Sequence, residues 1–483
     1  MVVFCLAACG TRLDRAEIRS DAGGGEVSLS AASIQKLAAV IAGARTAPGD
    51  PPAASARTRQ PAPRTTVGST GTRRRDAAVA AASVRPGPAT GADAAGQAPS
   101  AAAGASGPAP GPCTGPGEPL RIGQVGNFSG IAGPLTAGGR QALAVWVANV
   151  NAHGGLACHP VVLYTVDDAA DSSRSAAAVQ QLTEEKRVQA LVGVFSIMSL
   201  NGLVSGVNRA QVPVVGGDLV GFPWNEEPLL FPQGVGYRDV LHGGLQQAVA
   251  TGLTRVALLY CVEVPTCTTD AKVIPEEMTK AGGTIVYSAA MSVTQTDFTA
   301  ECQNAKHAGA QALRIAADGA TMGRVARSCA ALNYHPRLIG VGVGLSPAQS
   351  ADAAIRQDGL LVSSANAPWN RSDSPGQAAF LAALQQYAPG LTPDAGAMAA
   401  WSSGRLLQAA VDRLGAGART RPITTRDILT GLGRIAHETL DGLAPPITFS
   451  PHQKAAPRQN CVYIELLTPA GWTAPRGSRP LCH

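Results

Sequence analysis

Between Pro119 and Thr473 short apolar runs alternate with amphipathic ones, and the series runs twice. "LRIGQVG" reads as a strand, and "LTAGGRQALAVWVANVNAHGG" as a helix closed by a His-Gly-Gly stop. "HPVVLYTVDD", "VQALVGVF" and "VPVVGGD" read as further strands, separated by the helices "SRSAAAVQQLTEEK" and "SLNGLVSGVNRA". The pattern resumes with the strands "RVALLYC", "TIVYSAAM" and "AQALRIAAD". Around them lie the helices "LHGGLQQAVATGL", "AKVIPEEMTKAGG", "DFTAECQNAKHAG" and "MGRVARSCAAL". A third set holds the strands "RLIGVGVG" and "DGLLVSSA", three helices from "GQAAFLAALQQYA" to "TTRDILTGLGRI", and the β-like "PITFSP" and "NCVYIELLT". Strands that alternate with helices build a parallel sheet covered on both faces. Two such series of similar size predict an α/β chain with two doubly wound parallel-sheet lobes.

Upstream the texture is different. From Gly10 to about Glu118 the chain is rich in Ala, Pro, Gly, Ser and Arg, as in "PPAASARTRQPAPRTT". Such a segment buries too little apolar surface to offset its ordering entropy and is read as a disordered tether, residues 10–118. One island, "SAASIQKLAAVIAGA" from Ser30, has the apolar spacing of a short helix and is given no role. The chain opens "MVVFCLAACG", and residues 1–9 resemble a bacterial signal peptide ending in a lipobox, with Cys9 as the lipidated residue. A secretory signal runs about 15–30 residues, so the natural start is expected to lie further upstream. No later stretch offers the roughly 18 consecutive apolar residues of a membrane span. The body is therefore expected at the outer surface of the membrane, held by one lipidated cysteine.

Charge and cysteines narrow the chemistry. The net charge is +6, but residues 10–118 hold 12 Lys/Arg against 8 Asp/Glu, which leaves only +2 for the rest. That is no footprint for nucleic acid. With aromatics at 4%, a binding site is expected to rest on backbone and small polar groups. Beyond Cys5 and Cys9 there are eight cysteines, at 113, 158, 261, 267, 302, 329, 461 and 482. None forms a CxxC pair or has a His at zinc-ligand spacing, so no metal is expected, and structural disulfides in an oxidising compartment are the better reading. Their pairing stays open at this level. No cofactor loop is present either. "VGNFSGIAGP" lacks the Lys of a Walker loop, and neither Gly123-Gly126-Gly130 nor "GVGVG" at Gly340–Gly344 makes a dinucleotide fingerprint. There is no GxSxG elbow and no His beside the candidate serines, so an enzyme is not expected.

Taken in order, these landmarks resemble the branched-chain-amino-acid type of periplasmic solute-binding protein, the type I receptor of an ABC importer. The resemblance covers about Pro119 to Thr473. It rests on "VGNFSGIAGPLTAGGRQA" running to "VNAHGG", on "LYTVDDAADSSRSA", on "ALVGVFSIMS", and on "RSCAALNYHPRLIG" and "GLLVSS". It implies lobe 1 from 119–235 and 366–443, lobe 2 from 236–365 and 444–473, and a tail from 474–483. A three-segment hinge would lie near Gly234-Val235-Gly236, Ser363-Ser364-Ala365 and Pro445-Pro446. It also implies a small polar solute (amino acid, amide or small organic acid), a membrane permease as partner, and no catalysis. The alternative is a domain of the same fold that senses a ligand for a signalling partner.

The ligand would lie between the lobes, where strand ends of open α/β sheets bind solutes. Ser196, Met198 and Ser199 fall where a strand turns into a helix. Hydroxyls and free N–H groups there meet the positive end of the helix dipole and suit a carboxylate; alternatively each serine caps its helix. Ser129 and Gly130 occupy the first loop. By the resemblance Gly217 and Asp218 face the same cleft, with Asp218 suited to an amine or hydroxyl, or else capping a turn. Asp318, beside Gly319, stands where the family places an aromatic, and is a contact or a loop aspartate. The family's amine-gripping acid would fall within "GVGVG" and is absent. Arg314 is a charge inside a strand, without an assigned partner. The implied disulfides are Cys302–Cys329, Cys261–Cys267, Cys113–Cys158 and Cys461–Cys482.

Overall fold

The computed structural model describes residues 113, 115–450 and 456–482. The chain divides into two units, Met1–Ala101 and Ala102–His483, and every described residue belongs to the second. Cys9, the island from Ser30 and nearly all of the 10–118 tether lie outside the described residues.

The first sheet holds β1 (Leu120–Gly126), β2 (Val161–Asp167), β3 (Ala190–Val194), β4 (Val214–Gly217) and β5 (Leu230–Phe231). All pairings are parallel, in the order β2-β1-β3-β4-β5. The second sheet repeats that order with β6 (Arg255–Cys261), β7 (Thr284–Met291), β8 (Ala312–Ala316), β9 (Arg337–Val341) and β10 (Leu360–Ser364), again all parallel. Its far edge adds the antiparallel β11 (Cys461–Thr468) and β12 (Gly471–Thr473). In each lobe the strand order reverses beside the first strand, and a crevice opens there outside the strand carboxyl ends.

Helices cover both faces of each sheet. In the first lobe α1 (Gly133–Ala152) shares a core with β1 through Leu143 and Trp146 against Leu120 and Ile122. On the opposite face α2 (Ser172–Gln180) and α3 (Leu200–Ala210) place Val179, Leu203 and Val207 with Val125 and Leu191. In the second lobe α4 (Tyr237–Ala250) and α5 (Pro265–Lys280) bring Leu241, Leu245, Ile274 and Met278 to Ala312 and Ala316 of β8. Its other face takes α6 (Thr299–His307) and α7 (Gly319–Ala330), whose Cys302, Val325 and Cys329 meet Leu313 and Ile315. The segment after β10 returns to the first lobe as α8 (Pro375–Tyr387), α9 (Ala395–Asp412) and α10 (Thr425–Leu432), burying Phe380, Trp401 and Ile428 in the core of α1.

Two crossings run side by side. Val235 N–H donates to Ala365 O (3.3 Å), and Asn366 Nδ2 donates to Gln233 O (3.0 Å) and Leu443 O (3.3 Å). A Cβ on Gly234 would stand 2.5 Å from Ala365 O, so this approach of two backbones requires glycine.

All four disulfides that the resemblance implies are formed, including Cys302–Cys329 between α6 and α7. Four features differ from the sequence reading. Helix α5 starts at Pro265 rather than near Ala271, because proline at the first helical position needs no N–H partner. "PITFSP" adds one bridge, Ile447 with Glu438, and no sheet strand. Ala444, Ile447 and Phe449 pack in the first lobe's core, so the third crossing comes later than Pro445-Pro446. The expected tail 474–483 closes back on the sheet, where Leu481–Cys482 pairs with β11.

Candidate functional site

The crevices of the two lobes face each other across a cavity of about 320 Å³. Its size is at the lower end of small-molecule pockets, about 300–1,000 Å³. The first lobe supplies Ala132, Leu135, Ile197 and Met198, all apolar, while the second lobe supplies nearly every polar group: Tyr237, Thr266, Asp270, Thr294, Arg314, Asp318 and Arg324. A chamber of about 390 Å³ adjoins it, sharing Ile197, Met198 and Thr266, and carries Asn201, Glu226 and Arg238.

Behind the first lobe's wall lies a closed polar network. Asn127 Nδ2 donates to Asp168 Oδ1 (2.6 Å) and to Ser199 Oγ (2.9 Å), and Ser199 Oγ donates to Asp168 Oδ2 (2.6 Å). Ser196 Oγ donates more weakly to the same oxygen, at 3.3 Å. Met198 N–H donates to Asn127 Oδ1 (2.9 Å), which fixes the turn that points Met198 and Ile197 at the cavity. Asn127, Asp168, Ser196 and Ser199 are all fully buried. The two serine hydroxyls are thus spent inside the loop. Ser129 is exposed and bonds Asp167, and Gly130 opens the turn that leads to Ala132 and Leu135 on the wall.

The second lobe's wall is built around β8. Arg314 sits at its centre, 2% exposed, on the same strand face as Ala312 and Ala316. Its Nη1 donates to Ile315 O (2.6 Å) and Ile339 O (3.3 Å). Among the described residues no carboxylate lies within 4.0 Å of it. Asp270 is on the first turns of α5, where Cys267 and Thr266 share its face at three and four residues' spacing. Tyr237, the first residue of α4, donates its hydroxyl to Asp270 Oδ2 at 2.7 Å, while the buried Oδ1 has no partner. Burial pushes the Asp270 carboxyl up to about 6, against the pull of Arg314 and the Tyr237 hydroxyl. Burial and the Asp270 charge push the Tyr237 phenol well above its usual range.

Asp318 also lines the cavity, but it caps α7: Oδ1 accepts from Ala320 N–H (2.9 Å) and Thr321 N–H (3.0 Å), Oδ2 from Thr321 Oγ1 (2.6 Å). Gly319 is buried under Gln349, away from the cavity wall. Gly217 and Asp218 lie elsewhere, by the hinge. Gly217 exchanges two hydrogen bonds with the Gln233 side chain (3.0 and 2.8 Å), and Asp218 lines a void of about 10 Å³ with Gln233, Ser364 and Asn366. Burial raises the Asp218 carboxyl to about 7, against bonds from Val220 N–H and Trp224 Nε1. Asn127, Asp168, Tyr237 and Asp270 were not picked out from the sequence. Asp270 carries a signal only once α5 is known to start at Pro265. Beside small polar groups of the kind expected from the sequence, Thr266 and Thr294, the cavity is lined by the larger Arg314, Asp270 and Tyr237.

The family profile described as "Periplasmic binding protein" matches residues 119–464. A comparison with curated protein sequences finds no match. Among solved structures, a substrate-binding periplasmic protein from Ralstonia solanacearum is 16% identical, with TM-score 0.64, over 73% of this chain and 98% of that one. An extracellular ligand-binding receptor from Verminephrobacter eiseniae is 19% identical, with TM-score 0.61, over 75% and 99%. A solute-binding protein of an ABC transporter from R. palustris, in complex with benzoate, is 15% identical, with TM-score 0.61, over 76% and 98%. At these identities the likeness is one of fold.

Proposed function

Because the chain belongs to the periplasmic binding protein family, a family of solute receptors rather than enzymes, we propose that it captures its solute in the 320 Å³ cavity between the lobes and hands it to the permease of an ABC importer. The observation that carries this is the cavity's division of labour, with apolar side chains from one lobe and buried charged groups from the other. A solute that touches both walls binds the closed arrangement better than the open one, and that difference drives closure. The benzoate held by the R. palustris protein supports a small organic acid, beside amino acids and amides, as the solute. Met198 and Asp318 are proposed as wall residues, with Ser129 and Gly130 on the loop that carries Ala132 and Leu135. In this reading Cys9 carries the lipid and residues 10–118 form the tether; mass spectrometry of the exported protein checks the modified cysteine.

The test is a thermal-shift screen of the full chain against amino acids, amides, short-chain and aromatic acids, polyamines and sugars. A solute at 100 times its dissociation constant adds about 2.7 kcal/mol of stability. One solute class is expected to raise the midpoint, and Met198→Trp, which fills the cavity, is expected to abolish the rise. A flat response across the panel overturns the receptor reading in favour of a partner-sensing domain.

A further inference from the structure

Beside the cavity, one contact between the lobes is built largely from sulfur. Met198, on the turn after β3, packs against Cys261, Val264 and Cys267 of the second lobe, where the Cys261–Cys267 bridge closes the loop between β6 and α5. Met198 lines both the 320 Å³ cavity and the adjoining 390 Å³ chamber. Ser172, Asn201 and Pro265, which also line the chamber, are exposed, so solvent reaches it. Of the methionines among the described residues, Met278, Met291, Met322 and Met398 are at most 3% exposed, and Met198 alone is half-buried. The eight cysteines from Cys113 to Cys482 are all paired, so none of them offers a competing thiol. An oxidant must reach the sulfur to react, and a sulfoxide is polar where the thioether was apolar.

We propose that Met198 is an oxidation-sensitive gate: a peroxide converts its thioether to the sulfoxide, which breaks the contact with Cys261, Val264 and Cys267 and parts the lobes. In this step an S–O bond forms as the peroxide O–O bond breaks. The sulfur gives up two electrons, and the second peroxide oxygen leaves as water with both protons. The new oxygen is a strong acceptor pressed against side chains that offer it no donor, so the contact is lost rather than remade. Met198 N–H keeps its bond to Asn127 Oδ1 (2.9 Å), so the turn still aims the oxidised side chain at the second lobe. The gate is independent of which solute binds. Together with the receptor reading, it means that oxidation lowers solute capture, because the solute binds the closed arrangement better than the open one.

Hydrogen peroxide at low excess, on the full, disulfide-bonded chain, is the probe. Peptide mass spectrometry is expected to find one added oxygen on Met198 while Met278, Met291, Met322 and Met398 stay unmodified. Small-angle X-ray scattering without solute is expected to show a larger radius of gyration after treatment. Met198→Leu, close in volume and without sulfur, is expected to keep its radius under the same treatment. Met198→Gln, which places an amide at the contact without any oxidant, is expected to show the larger radius from the start. In the thermal-shift panel, the member that stabilises the untreated chain is expected to bind about tenfold to hundredfold more weakly after treatment, the worth of a polar group buried without a bond. Met198→Leu is expected to lose none of that binding on treatment. The gate is overturned if the buried methionines oxidise as readily as Met198, or if the Met198 sulfoxide leaves the wild-type radius unchanged. It is also overturned if the radius of Met198→Leu grows as much as that of the wild type. A panel flat on the untreated chain, with the radius still growing on oxidation, overturns the receptor reading and keeps the gate.

Discussion

The Ser199 hydroxyl donates to Asp168 at 2.6 Å and accepts from Asn127 at 2.9 Å, while the Ser196 hydroxyl reaches Asp168 only at 3.3 Å. The two serines look alike in the sequence, yet their contributions differ. Ser199→Ala is expected to cost about 1.5–3 kcal/mol, since it removes a bond to a buried charged group. Ser196→Ala is expected to cost about 0.5–1.5 kcal/mol, as for an ordinary hydrogen bond. Urea denaturation of the full-chain variants measures both, and equal losses would contradict the geometry. The sequence located the turn at Ser196–Ser199 from its strand-to-helix texture. It could not show that Asn127 and Asp168, 72 and 31 residues before Ser199, consume the hydroxyls. Arg314 was visible as a charge in an apolar strand, but its neighbours Tyr237 and Asp270 come from other elements, and only the packing of α4 and α5 on β8 brings them there.

At the scale of elements, the strand pattern was legible because parallel strands buried on both faces read as continuous apolar runs. β6, buried from Val256 to Leu259, matches its quoted run residue for residue, as does the half-exposed edge strand β7. Misreadings came where a cap or a crossing decides, as at Pro265 and at "PITFSP". β11 hides a charge of its own. Glu465, fully buried beside β10, accepts from Ser364 Oγ at 2.7 Å, and its Oε1 has no partner. Burial raises its carboxyl to about 8, against the Ser364 bond. Asp218 is raised to about 7, and Asp394, again by burial, to about 6. In the unfolded chain such carboxyls lose their protons near pH 4. Between about pH 4 and pH 8 the native state therefore holds more protons than the unfolded state, and stability falls as pH rises. Glu465→Gln is expected to flatten that fall and to stabilise the protein at pH 8 by roughly 1–3 kcal/mol, the cost of a buried group left without its partner. Denaturant midpoints at pH 5 and pH 8 check it. A variant with an unchanged pH slope would show that Glu465 is already ionised in the fold.

The whole molecule is two copies of one strand order, β2-β1-β3-β4-β5 and β7-β6-β8-β9-β10, joined by crossings that touch at Gly234 and Ala365. The doubling was readable from two successive series of strands and helices. The asymmetry of the cavity was not, because it arises only when the apolar turn at Ile197–Met198 faces the charges on β8 and α5. That asymmetry gives a solute something to gain from each lobe, and it makes closure the central claim. The most direct measurement is small-angle X-ray scattering of the full chain, with and without a saturating amount of the solute found by the thermal-shift screen, on wild type and on Met198→Trp. The account predicts a smaller radius of gyration for the wild type on binding, and no change for the filled-cavity variant. A solute that binds both proteins equally and leaves both radii unchanged would contradict it.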